Sequence, residues 1–192
     1  MNSLFVMVVT TLIVAPSDYA QKDSSGVYKT TQDFLQRKLS FAINCKTEKH
    51  KINTDLIFKG SEIKVKHEGI NYRFKKNEIF GYRTCEGKEF RFVDDKEYSI
   101  LNPGETLIIY MYKRPSGGGR NNVTYHPKYY FSYNSLASLQ DLTKANIKAL
   151  YPENHKLHNA LDAQFKDDSE LFAYDDFHKT YKLNWIIKNN LN

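Results

Sequence analysis

Glu62-Ile63-Lys64-Val65-Lys66-His67-Glu68-Gly69-Ile70-Asn71-Tyr72-Arg73-Phe74-Lys75 is the stretch on which the reading of the chain turns. Ile63, Val65 and His67 alternate with Lys64 and Lys66. After Glu68-Gly69, Ile70, Tyr72 and Phe74 alternate with Asn71, Arg73 and Lys75. A period of two marks a strand with one apolar face, and a glycine between two such runs supplies the positive φ that a hairpin loop needs. The segment predicts a β-hairpin.

The same grammar continues in both directions. Residues 79–85 predict a strand that meets Glu86-Gly87 and returns as Phe90-Arg91-Phe92. Tyr98-Ser99-Ile100 leads through Asn102-Pro103-Gly104 to a strand over residues 107–112, and residues 128–133 predict another. Upstream, residues 39–45 alternate as a strand, with Leu39, Phe41 and Ile43 on one face. Before them, residues 21–25 read as a polar approach, and Thr30 or Thr31 caps one or two helical turns that carry Phe34 and Leu35. Residues 114–120, Arg-Pro-Ser-Gly-Gly-Gly-Arg, with Asn121 and Asn122 after them, predict a flexible loop.

From Ser138 onward the period changes to that of helices. Thr143 caps residues 144–150, and Tyr151-Pro152 ends that helix. Pro152 is expected to open the next one, which runs to about Lys166 with Leu157, Leu161 and Phe165 on one face. Phe177, Tyr181 and the single Trp185 repeat the spacing, predicting a last helix with Trp185 as a core anchor. The expected architecture is one α+β domain over residues 21–192, β-rich over 39–133 and helical over 138–190. Its sheet is expected to be a curved antiparallel meander of about six or seven strands covered by C-terminal helices. A barrel capped by a helix, as in pleckstrin-homology-like folds, is the closed variant of that expectation, by analogy of fold alone.

Residues 4–15 are an almost unbroken apolar run, followed by Pro16, Ser17 and a small residue, Ala20. This is the layout of a secretory signal peptide cleaved near Ala20, although residues 1–3 contain no basic side chain. The run is too short for a membrane-spanning helix, which takes about 20 apolar residues, so the mature chain is expected to have no transmembrane span. Export to the periplasm or outside the cell follows. In such a compartment Cys45 and Cys85 are expected to form a disulfide, closing a loop of roughly 40 residues worth on the order of 3–4 kcal/mol.

Composition is that of an ordinary globular chain, 41% hydrophobic and 26% charged, and the 14% aromatic content leans toward β-structure. There are 28 basic residues against 22 acidic ones; losing Asp18 with the leader moves the net charge from +6 to about +7. That excess is mixed and dispersed, so nucleic acid is not the expected partner. Lys64, Lys66, Arg73, Lys75, Lys76, Arg83, Lys88 and Arg91 interleave with Tyr72, Phe74, Tyr82, Phe90 and Phe92, a pattern that could stack on a polyanion. Solvated sheet faces alternate in the same way, and Glu62, Glu68, Glu78, Glu86 and Glu89 dilute the field.

His155 and His158 lie three apart on the predicted helix, with Glu153 before them and Asp162 one turn on, so they could present two imidazoles and a carboxylate to a metal. The pattern lacks H-E-x-x-H, and a third ligand would have to come from His178 or elsewhere. Asp175 and Asp176 before His178 are explained by a helix start. No nucleophile elbow, phosphate-cradling glycine loop or paired C-x-x-C is present.

Four segments together resemble a family of small secreted proteins from Bacteroidota. They are Ser40-Phe41-Ala42-Ile43-Asn44-Cys45-Lys46-Thr47, Ile79-Phe80-Gly81-Tyr82 with Phe90-Arg91-Phe92, Pro152-Glu153-Asn154-His155-Lys156-Leu157-His158, and Tyr174-Asp175-Asp176-Phe177-His178-Lys179-Thr180-Tyr181. The resemblance spans the mature chain and implies export, a β-rich middle and a helical C-terminus. It carries no activity and no site residue. The expected function is a non-enzymatic binding or structural module of the cell envelope or extracellular space, with a protein or envelope component as partner and no cofactor. A metal-assisted hydrolase using His155 and His158, or a polyanion-binding surface, are the alternatives.

Overall fold

Val27 and Tyr28 are both 0% exposed and lie in a strand that the sequence reading missed, β1 (Ser24–Tyr28). Their seclusion follows from position, since β1 has a hydrogen-bonded neighbour on each side. The computed structural model describes residues 23–49, 51–54, 60–116 and 124–191. The expected leader over residues 1–20 lies outside these, as do residues 117–122 of the expected loop. After β1 comes α1 (Thr31–Leu35), where the Thr30 hydroxyl accepts from Asp33 N–H and the Asp33 carboxylate accepts from Thr30 N–H. This reciprocal cap is what lets so short a helix persist. The chain then returns along β1 as β2 (Ser40–Asn44), with Phe41 in the left-handed region at φ 54°.

The hairpin over residues 62–75 forms as its alternation predicts, as β4 (Glu62–His67) and β5 (Ile70–Lys75). Glu68 and Gly69 at φ 49° and 81° make the turn. The hairpin does not continue the meander, however. With β3 (Ile52–Asn53) it makes a separate three-stranded sheet, β3-β4-β5. A 3-10 turn, Lys76–Glu78, redirects the chain before the main sheet resumes.

That main sheet has eight strands in the order β11-β10-β9-β8-β7-β6-β1-β2, every pair antiparallel. Here β6 is Gly81–Arg83, β7 Glu89–Val93, β8 Lys96–Ile100, β9 Ile108–Ser116, β10 Thr124–Ser132 and β11 Gln140–Asp141. The run from β6 to β11 is the expected meander. A closed barrel is corrected: β2 and β11 are the two outer strands, and the sheet stays open. The strand expected over residues 79–85 shrinks to Gly81–Arg83. The turn between β7 and β8 is Asp94-Asp95, both at positive φ (49° and 59°), where no glycine advertised a turn.

Both faces of the sheet are put to use. On one face, Tyr98 and Tyr130 stand on strands that are not neighbours, yet their rings lie 5.4 Å apart, so this is the concave side. Phe34 of α1 packs there against Tyr28 and Phe80. The opposite face has two covers. At one end Ile63 and Val65 of the small sheet pack on Val27, Tyr82 and Phe92. At the other end the helices α2 (Lys144–Leu150), α3 (His155–Gln164) and α4 (Lys182–Asn190) pack on Leu107, Ile109 and Phe131. Leu157, Leu161 and Phe165 are buried there as their spacing predicts. Asn184 of α4 donates to Leu107 O and accepts from Asn102, fastening the helical layer to the β8–β9 connection.

Two helical expectations are corrected. Pro152 does not open α3; Asn154 is its cap, accepting from Leu157 N–H. Phe177, Tyr181 and Trp185 do not share a helix. The Asp175 carboxylate accepts from both Phe177 N–H and His178 N–H, bending the chain into a hairpin of β12 (Tyr174–Asp175) and β13 (Thr180–Tyr181). Phe177 is left 88% exposed and Trp185 41% exposed, so Trp185 is not a core anchor.

Cys45 and Cys85 form the expected disulfide, with Cα atoms 5.6 Å apart. Cys45 follows β2 and Cys85 follows β6, the two neighbours of β1, so the bridge ties together the strands that flank it. Reducing it is expected to lower the unfolding free energy by about 3 kcal/mol, read by urea titration with and without reductant. An unchanged midpoint would show that the bridge contributes nothing.

Candidate functional site

One register line crosses the helix-bearing face of the sheet: Val27, Tyr82, Phe90, Ser99, Met111 and Tyr129, from β1 through to β10. Val27 and Tyr82 lie beneath the small sheet. Tyr129 lies beneath the helical layer, its ring stacked on Phe172 at 3.7 Å. Phe90, Ser99 and Met111 fall between the two covers and are half-buried. Ser99, the smallest of the six, sits between two large side chains and deepens the surface there. A trough of about 950 Å³ results, floored by Phe90, Ser99 and Met111, with Leu101 at its side. The floor is mostly apolar and the rim is charged, a more polar make-up than that of the usual small-molecule site.

Charge around the trough is uneven. Lys88, Lys96 and Lys113 stand exposed at its margins, and none has a carboxylate partner among the described residues. Lys76, from the 3-10 turn after the small sheet, also lines it and is only 7% exposed. Its ammonium lies 5.6 Å from the Phe92 ring centre, a cation–π contact. Acidic side chains are present too: Asp95 in the β7–β8 turn, and Glu86 and Glu97, which are each engaged in an interaction of their own.

The concave face holds a different arrangement, centred on a buried acid. Glu89 has a side chain 0% exposed and accepts from three groups: Tyr28 Oη at 2.8 Å, Arg37 Nη1 at 2.6 Å to both carboxylate oxygens, and Arg83 Nη1 at 3.1 Å. Arg37 reaches it from just beyond α1, in the left-handed region at φ 57°. Burial, and then the charge of Glu89, push the Tyr28 hydroxyl up to about 12. Beside this cluster the Arg91 guanidinium lies over the Phe80 and Tyr110 rings and donates to Tyr110 Oη and Ala137 O. Tyr110 in turn bonds Ser132, which donates to Asn134 O. Apart from Arg83 Nε, which is buried without a hydrogen-bond partner among the described residues, the polar groups named in these chains are matched by one another, which is the arrangement of a rigid core network.

The residues singled out in the sequence are dispersed. His158 Nε2 lies 2.9 Å from Tyr151 O, so that nitrogen donates to the carbonyl and is not offered to a metal. Asp162 pairs with Lys148 at 2.6 Å, a hydrogen bond that holds its carboxyl below the usual range. His178 is bound to Asp175 at 2.8 Å and lies against Trp185. Among the described residues no three His, Cys, Asp or Glu side chains are grouped to hold a metal ion. The basic stripe also divides. Arg83 and Arg91 turn into the concave core, Lys76 is buried, and Arg73 and Lys75 pair with Glu62 and Glu78. Glu89, read in the sequence as a diluting surface acid, is the centre of the buried cluster.

Sequence reasoning missed the trough because no local pattern encodes it. Phe90, Ser99 and Met111 come together only through the registers of three strands. Among the described residues no helix is long and apolar enough to cross a membrane. Comparison of the chain with protein-family models, with curated proteins and with solved structures found no match.

Proposed function

We propose that the protein is a non-enzymatic binding module of the cell envelope or extracellular space, and that it takes a small ligand in the trough between the two covers of its sheet. The observation that carries this reading is the line Phe90, Ser99 and Met111, left uncovered among the described residues at the middle of a sheet face that is covered at both ends. The disulfide between Cys45 and Cys85 supports an oxidising compartment, in keeping with the leader-like N-terminus.

The buried Glu89 cluster is better suited to holding the fold than to chemistry, because its donors are spent on the carboxylate. A neutral environment-sensitive dye, Nile red, tests the reading. The mature protein is expected to enhance its fluorescence, and Ser99→Trp, which fills the floor, is expected to lower apparent affinity about ten-fold or more with the melting temperature held. Equal dye binding by both proteins would overturn the trough as the site.

A further inference from the structure

We infer that the ligand of the trough is a single-chain anionic amphiphile, a carboxylate head on a linear apolar chain, and that Lys76 receives the head. This rests on the reading of the trough as a ligand site.

The argument begins with Lys76 itself. A lysine ammonium in a nearly closed position costs free energy unless a counter-charge or hydrogen bonds replace its water. At 7% exposure, Lys76 has neither a carboxylate partner nor a hydrogen bond from its Nζ among the described residues. Among the described residues the Phe92 ring, 5.6 Å from the ammonium, is its compensation. Since Lys76 lines the trough, an anion arriving there meets a cation on a largely buried side chain that has no carboxylate of its own among the described residues. Such a pair gains more than an exposed one, where solvent screens the attraction. Lys88, Lys96 and Lys113, exposed on the margins, add a longer-range attraction for a negative ligand, which Glu86, Asp95 and Glu97 of the same lining offset in part.

The rest of the trough sets the remainder of the ligand. Phe90, Met111 and Leu101 offer apolar surface along strands β7 to β9, with room for a hydrocarbon lying in the trough. An extended peptide would fit less well. This is a sheet face, not an edge, so the backbone groups of β7 and β8 are already paired within the sheet and cannot serve a peptide's amides. A hydrocarbon chain asks for no such partners. One secluded cation is matched by one negative charge, which favours a carboxylate over a doubly charged phosphate monoester.

Displacement of Nile red by decanoate and by decanol, both below micellar concentration, tests the inference. Decanoate is expected to bind about ten-fold to hundred-fold tighter than decanol, as a charge-assisted contact would give. Lys76→Met, which keeps the length and apolar character of the stem, is expected to remove that preference and to leave decanol binding as it was. Lys76→Arg is expected to retain it. Equal affinity for acid and alcohol in the wild type, or a preference that survives Lys76→Met, would overturn the role of Lys76 while leaving the trough in place. Displacement unaffected by Ser99→Trp would overturn the trough and this inference with it.

Discussion

Glu89→Ala is expected to lower the unfolding free energy by about 3–5 kcal/mol, measured by urea titration at neutral pH. Removing the carboxylate takes the shared acceptor from Arg37, Arg83 and the wholly buried Tyr28 at once. The cost comes from what stays behind: two cations lose the charge they were folded around, and a buried hydroxyl loses its acceptor. Adding Tyr28→Phe to Glu89→Ala is therefore expected to cost less than the sum of the single changes, because the orphaned hydroxyl disappears. A loss below about 1 kcal/mol would show that the cluster is only loosely coupled to the fold.

The same cluster fixes a pH dependence. Tyr28 ionises at 10.0 in its ordinary state and near 12 in the folded protein, so the folded state holds the proton more tightly. Its contribution is complete below pH 10.0 and is lost as pH rises toward 12. Glu89→Ala is expected to bring the alkaline titration of this hydroxyl downward, since the negative charge that opposes its ionisation is gone.

Gly81→Ala is expected to be at least as damaging, at about 4 kcal/mol or more, or to prevent folding outright. A Cβ on Gly81 would lie 1.8 Å from the carbonyl oxygen of Phe90, well inside any permitted contact. The obstacle is backbone on the adjacent strand, not a side chain that can swing away. Gly81 therefore allows β6 and β7 to approach closely beside β1, in the part of the sheet where Glu89 is held. Gly60→Ala is the control, since nothing lies within 4 Å of a Cβ there, and it is expected to change stability little. If Gly81→Ala melts within a few degrees of wild type, the close approach is not a constraint on the fold.

Local features of the architecture were legible in the sequence, and its assembly was not. The alternation of Ile63, Val65, Tyr72 and Phe74 predicts the hairpin because each strand shows a clean apolar face. Nothing in those residues says that the hairpin leaves the meander to cover Val27 and Tyr82, since that depends on the turn at Lys76–Glu78. Leu157, Leu161 and Phe165 are placed correctly because a helix face is encoded within three turns. Phe177 and Trp185 mimic the same period, but the side chain of Asp175 captures two backbone N–H groups and makes a hairpin instead. The trough required knowing which residues of β7, β8 and β9 stand abreast. Glu89 carried no local signal either: its partners are 6, 52 and 61 residues away.

The outer strands of the two sheets bear on how the molecule avoids itself at high concentration. An unpaired strand border is a template for self-templated aggregation into fibres. On the main sheet, β11 is too brief to serve, and β2 is kinked by Phe41. In the small sheet β3 is equally brief, which leaves β5 as the longer border among the described residues, and its Arg73 and Lys75, ion-paired with Glu62 and Glu78, keep charged side chains along it. Replacing those two charged side chains would remove the guard from that border.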